Sequence, residues 1–188
     1  QLSMDLHYDK KTRDLYREEI SPFLKEKFDY KNNLEIPKIE KIVINRGLGV
    51  NASNNKLLQK SIEEFRLITG QQPIVTIAKN SIAGFKVREQ MSLGLKVTLR
   101  KEKMYTFLDR FINLTLPRIR DFQGLDTTKF DSDGNYNLGI KDQLIFPEIE
   151  YEQVDQILGL NISIVTTAKS IEESKSLLTQ IGLPFPKV

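Results

Sequence analysis

A chain of 188 residues, 39% hydrophobic and 28% charged, has the make-up of a folded globular protein and not of a disordered tail. That length gives room for one well-buried core and is short for two, and no apolar run approaches the roughly 20 residues of a membrane-spanning helix. The formal net charge is +3 and there is no cysteine, which excludes disulfides, thiolate nucleophiles and cysteine-held zinc and suits a reducing compartment.

The visible start, with Asp5 and Asp9, is too acidic and polar to read as a targeting segment. Residues 10–28 have helical spacing, with Leu15, Tyr16, Ile20, Phe23, Leu24 and Phe28 on one side. Pro22 is expected to kink this helix or to open a new one capped by Ser21. Residues 38–49, "KIEKIVINRGLG", read as a strand closed by two glycines. Asn54 or Ser53 then caps a helix to about Thr69, with Leu57, Leu58, Ile62, Phe65 and Ile68 inward and Gly70 as the stop. Residues 73–78 and 93–100 are two further strands. The second alternates cleanly, with Leu93, Leu95, Val97 and Leu99 against Lys96, Thr98 and Arg100. Residues 103–116 return to helical spacing, 118–142 are irregular with a turn at Asp133-Gly134, and 160–168 form a fourth strand. A capping box of Ser170 with Glu173 opens the last helix, which Gly182 ends. The expected fold is α+β: a single domain over 1–188, a mainly antiparallel sheet backed by helices.

The charge is unevenly spread. Residues 38–103 hold thirteen basic and five acidic side chains, whereas 104–188 hold eight and twelve. A basic segment within a near-neutral chain is the footprint a polyanion would recognise, or a lysine-rich solvated surface. If strands 73–78 and 93–100 pair, the connection 79–92 is far longer than the usual hairpin loop of ~2–5 residues. It carries Lys79, Lys86 and Arg88 with Ile82 and Phe85 between them, and reads as a presented basic loop.

Catalytic material is scarce. "GLGVNA" (47–52) fits a relaxed dinucleotide fingerprint, but the acidic residue expected about 20 positions on is replaced by Thr-Gly-Gln-Gln at 69–72. "DSDG" (131–134) puts Lys129 and Ile140 at the end ligands of a calcium loop, so a tight turn is the better reading. His7 is the only histidine and leaves almost no material for a nucleophile–base pair or zinc site. The acids Glu148, Glu150, Glu152 and Asp155 offer a carboxylate pair or, more simply, a solvated charged face. No cofactor and no enzymatic activity are expected.

The outward face Lys96–Thr98–Arg100 joins two cations to a hydroxyl, suited to phosphates and ribose. Asn45 and Arg46 precede Gly47 and Gly49, where a sugar–phosphate backbone could approach closely. The sheet lacks an exposed aromatic stripe for base stacking, so a structured RNA fits better than a single strand. The rival is a protein-binding scaffold whose acidic C-terminal half docks a basic partner.

The segments "NRGLG", "TGQQPIVTIAKNSIAGFKVRE", "LGLKVTLR", "LPRIRDFQGL", "GNYNLGIKDQLIFPEI" and "ISIVTTAKS…LLTQIGLPF" occur in this order. From about Asp9 to Pro186 the chain resembles the bacterial and organellar form of the large-subunit ribosomal protein L-five family. The resemblance implies a structural constituent of the large ribosomal subunit that binds 5S rRNA in the central protuberance through an open sheet face. Asn45, Gln71 and Thr98 fall where the family makes polar contacts to 5S rRNA. Gly47, Gly49 and Arg100 flank that surface, and Arg46 and Lys96 are counted with them from the strand reading. The loop would reach the elbow of the P-site tRNA with Lys79, Asn80, Ser81, Gly84, Phe85, Lys86 and Arg88. The large-subunit rRNA and a protein of the small-subunit head are further implied partners, with no membrane and no metal. Gln123 and the "DSDGN" at 131–135 depart from a more basic bacterial pattern. The glutamine is associated with plastid versions, which favours a chloroplast ribosome over a bacterial cytoplasm.

Overall fold

The structure, a computed structural model, describes residues 12–48, 54–77, 92–119, 124–154 and 156–185. Among these described residues there are five strands and five α-helices. Helices α1 (Thr12–Leu15) and α2 (Ser21–Phe28) are joined by a π-helical turn, Tyr16–Ile20. Pro22, in the first turn of α2, has no N–H to continue the α ladder, so the wider turn forms just before it. Ser21 does not cap α2 with its side chain; the preceding residue, Ile20, occupies that place in helical conformation. Leu15, Ile20 and Leu24 are buried as the spacing predicts, but Phe23 is 41% exposed, with the Lys27 ammonium 5.9 Å from its ring centre.

Strand β1 (Ile39–Gly47) is followed by α3 (Asn55–Thr69), β2 (Ile74–Ile77), β3 (Ser92–Leu99) and α4 (Lys101–Arg110). The chain closes with β4 (Tyr136–Ile140), β5 (Leu160–Thr166) and α5 (Ile171–Ile181). The strands form one sheet in the order β2-β3-β1-β5-β4. This is the α+β fold with an antiparallel sheet that the sequence predicts. Strand β4 is the exception, because it lies in the stretch expected to be irregular. Its five residues bury only Tyr136 and Ile140 at the two ends, too short a pattern to stand out from a loop.

The chain gathers into two compact units. The first comprises Gln1–Ile42, Arg100–Asn137 and Ser163–Val188. Its core includes Leu24, Met104, Leu108, Phe111, Leu177 and Leu178, each burial contributing about 1.5–3 kcal/mol before entropy is counted. Helix α4 runs into a π turn (Phe111–Thr115) and a 3-10 turn (Leu116–Arg118) that contains Pro117 and ends at Arg118. Several buried hydroxyls of this unit find main-chain acceptors. The Tyr16 hydroxyl donates to the Pro37 carbonyl at 2.8 Å, and that of Tyr136 to the Asp126 carbonyl at 3.0 Å. The Gly134 carbonyl, at the end of an Asp131–Gly134 turn with φ +82°, accepts from both Thr166 and Ser174. Burial pushes the phenols of Tyr16 and Tyr136 up to about 12.

The second unit comprises Val43–Leu99 and Leu138–Ile162. Helix α3 starts at Asn54, whose side-chain oxygen accepts from the amides of Lys56 and Leu57, and stops at Gly70 with φ +70°. Its buried residues are Leu58, Ser61, Phe65, Ile68 and Thr69.

Candidate nucleic-acid interface

Strand β1 alternates: Ile42, Ile44 and Arg46 are buried, while Val43 and Asn45 are half-buried and Gly47 is exposed. Strand β3 buries Leu95, Val97 and Leu99 on one face and turns exposed Lys96 and half-buried Thr98 to the other. In the second unit α3 backs the buried face, so Asn45, Lys96 and Thr98 belong to the open one. The register of β2 on β3 pairs Ile74 with Lys96 and Thr76 with Gly94. Ile74, 70% exposed, and Thr76 therefore extend the open face to the sheet edge. Gln71 lies just past the end of α3, and its side-chain amide donates to the Thr98 carbonyl at 3.1 Å. The Thr69 hydroxyl accepts from the Gln71 amide nitrogen and donates to the Phe65 carbonyl, which fixes this corner.

Asn45, Gln71, Lys96 and Thr98 thus sit together in one unit, on or beside one sheet face. Arg100, exposed, follows β3 at the residue before α4. Gly49 and the loop residues Lys79, Asn80, Ser81, Gly84, Phe85, Lys86 and Arg88 lie outside the described residues.

Arg46 corrects the sequence reading. Its side chain is not on the open face: the residue is 2% exposed and points to the interior. Its guanidinium pairs with Glu64 at 2.7 Å and donates to Ser61 Oγ, the Gly159 carbonyl and the Leu158 carbonyl. Its central carbon lies 5.2 Å from the Phe65 ring centre, a further favourable contact for a cation. Glu64 in turn accepts from Gln143, a fully buried side chain that also donates to the Gln156 carbonyl and accepts from the Leu158 amide. A buried charge is tolerated where its donors are satisfied and its charge is paired. Both conditions hold here.

Gly94 is a second feature that the composition of the strand does not announce. A Cβ at this position would lie 2.2 Å from the Arg46 carbonyl oxygen, so β3 and β1 approach each other there as only glycine permits. Ile42 and Ile44 carried the signal for Arg46, since period two puts residue 46 on their face. Nothing near Gln143 announces its role, because its partners come from 156–158 and from α3. Among the described residues no group of three His, Asp or Glu could hold a metal, and no helix is long and apolar enough to cross a membrane.

Residues 32–88 match the family model "Ribosomal protein L5", and residues 92–185 match the model of the C-terminus of the same ribosomal family. The chain belongs to the ribosomal protein L5 family. A large ribosomal subunit protein uL5 of Geotalea uraniireducens is 57% identical over 172 residues, covering 92% of this chain and 96% of the relative. A uL5c of Pyropia yezoensis is 57% identical with the same coverages, and a uL5 of Leuconostoc mesenteroides is 55% identical over 93% of this chain and 97% of its own length. As an L5 protein the chain is a structural constituent of the large ribosomal subunit and not an enzyme. Its place is the ribosome, in a plastid or in a bacterial cytoplasm, and relatives of both kinds match equally well.

Proposed function

We propose that the open sheet face of the second unit binds 5S rRNA, with Asn45, Gln71 and Thr98 as polar contacts and Lys96 neutralising a phosphate. Arg100, the first residue after β3 and a member of the first unit, is proposed separately as a further phosphate contact. Gly47 and Gly49 leave room for the RNA backbone beside them. The observation that carries this reading is the gathering of Asn45, Thr98 and Lys96 on the face opposite α3, with Gln71 tied to the Thr98 carbonyl. Short polar side chains on a rigid sheet suit ribose and phosphate oxygens better than they suit stacked bases. The loop through Lys79, Asn80, Ser81, Gly84, Phe85, Lys86 and Arg88 contacts the P-site tRNA elbow. Large-subunit rRNA and a protein of the small-subunit head complete the partners.

The test is a titration of the purified chain with 5S rRNA at two salt concentrations, beside a structured RNA of equal length. Selective, salt-sensitive binding is expected. Asn45→Ala with Thr98→Ala should weaken it by about 2–4 kcal/mol, because buried polar RNA groups lose their partners. Unchanged affinity in the double variant removes the sheet face from the site. Neutralising Lys79, Lys86 and Arg88 should spare 5S rRNA binding while weakening tRNA contact on assembled ribosomes.

A further inference from the structure

Arg46 lies between two residues of the proposed RNA face, Asn45 and Gly47, yet its own side chain runs the other way. There it joins three parts of the second unit that are distant in sequence. It bonds α3 through Ser61 and Glu64, and the segment leading into β5 through the carbonyls of Leu158 and Gly159. Gln143 closes the circuit between Glu64 and residues 156–158. On the main-chain side, the Arg46 carbonyl is the group that Gly94 of β3 approaches too closely for any Cβ. Holding Arg46 therefore holds the end of β1 against β3 at the point where Asn45 and Thr98 are presented.

We infer that Arg46 is a positioning residue for the RNA face: its buried clamp sets the β1–β3 geometry that aims Asn45 and Thr98, and it touches no phosphate. This rests on the reading of that face as the 5S rRNA site. A planar guanidinium spans several acceptors in fixed directions, whereas an ammonium is a point charge on a flexible stem. Arg46→Lys keeps a cation beside Glu64 but cannot also hold the Leu158 and Gly159 carbonyls. It loosens the clamp without stranding the carboxylate.

The experiment titrates the full chain and Arg46→Lys with 5S rRNA over a series of salt concentrations, below the melting range of both by circular dichroism. We expect about a tenfold weaker affinity with the same slope of log affinity against log salt. We also expect a smaller loss when Arg46→Lys is made in an Asn45→Ala chain, since the two act through one geometry. A slope shallower by roughly 0.9 would mean that one phosphate contact had gone, and the inference would be wrong. Equal affinity in the folded variant would overturn it too, leaving Arg46 a stabilising residue only. Should Arg46→Lys not fold, Gln143→Leu breaks the same clamp from its far side with Arg46 intact, and the same two readouts decide. A wild-type chain that does not select 5S rRNA overturns the site and the inference together. A selective wild type with unaffected variants overturns the inference alone.

Discussion

The two units bury polarity in different ways. In the first, neutral hydroxyls are the recurring device: Tyr16, Tyr136, Thr166 and Ser174 each donate to a backbone carbonyl. In the second, a full cation sits at 2% exposure and is held by a carboxylate, a hydroxyl, two carbonyls and an aromatic ring. A neutral hydroxyl that loses its partner leaves a modest penalty, whereas a buried ion that loses its counter-ion leaves a large one. The contrast predicts that the second unit is brittle toward substitution and the first is sensitive to alkali.

The largest effect should follow Glu64→Leu, which strands the Arg46 guanidinium. Denaturant unfolding should show a loss of about 3–5 kcal/mol, and adding Arg46→Met to the same chain should recover part of it. A loss below about 1 kcal/mol, the range of an exposed ion pair, would mean that this pair is not what holds the unit. Next is Gly94→Ala. Its methyl would meet the Arg46 carbonyl, a backbone group that cannot swing aside, and a cost of about 1–3 kcal/mol is expected for such overpacking. Wild-type stability in that variant would show that β1 and β3 can separate at no cost. Tyr136→Phe, which removes only the bond to the Asp126 carbonyl, should cost the first unit about 1 kcal/mol in the same assay.

The alkali side of the contrast follows from the two phenols. Their folded values stand near 12 against an ordinary value of 10.0, so the neutral form is the one the fold prefers. The stability they contribute is whole below about pH 10 and is lost as the pH rises through about 12. Circular dichroism from about pH 9 to about pH 12 should show the wild type weakening across that window. Tyr16→Phe with Tyr136→Phe should lessen the pH dependence, the remainder falling to Tyr30 and Tyr105, whose phenols burial also raises. An unchanged pH profile in the double variant would assign the alkaline loss to other groups.

Much of this architecture was legible in the sequence because local and tertiary preferences agree. The alternation of Leu95, Val97 and Leu99, the Asn54 cap with Gly70, and the pairing of Ser170 with Glu173 each state their structure without help. Where the two disagree, the reading fails. Its charge assigns Arg46 to solvent, although the strand period already places it beside Ile44. Residue type outweighs position in that reading, and only the counter-charge from α3 shows why the position wins. Strand β4 becomes a strand through its neighbour β5, since Asn137 and Gly139 carry little preference for one. Of the proposed site, the face itself could be read from period two alone. The closeness enforced at Gly94 and the Gln71–Thr98 bond could not, because both depend on how segments far apart in sequence meet.

The placement of the tyrosines has a practical consequence. The chain has six tyrosines and no tryptophan, so its intrinsic near-ultraviolet signal is dominated by phenols. Among the described residues Tyr16, Tyr30, Tyr105 and Tyr136 belong to the first unit, and Tyr151 of the second is 80% exposed and senses little change of surroundings on unfolding. Tyrosinate absorbance is therefore a built-in optical reporter for the opening of one unit, to which the other is nearly dark. A single tryptophan introduced at Phe65, against the Arg46 guanidinium, would light the second unit from the clamp itself.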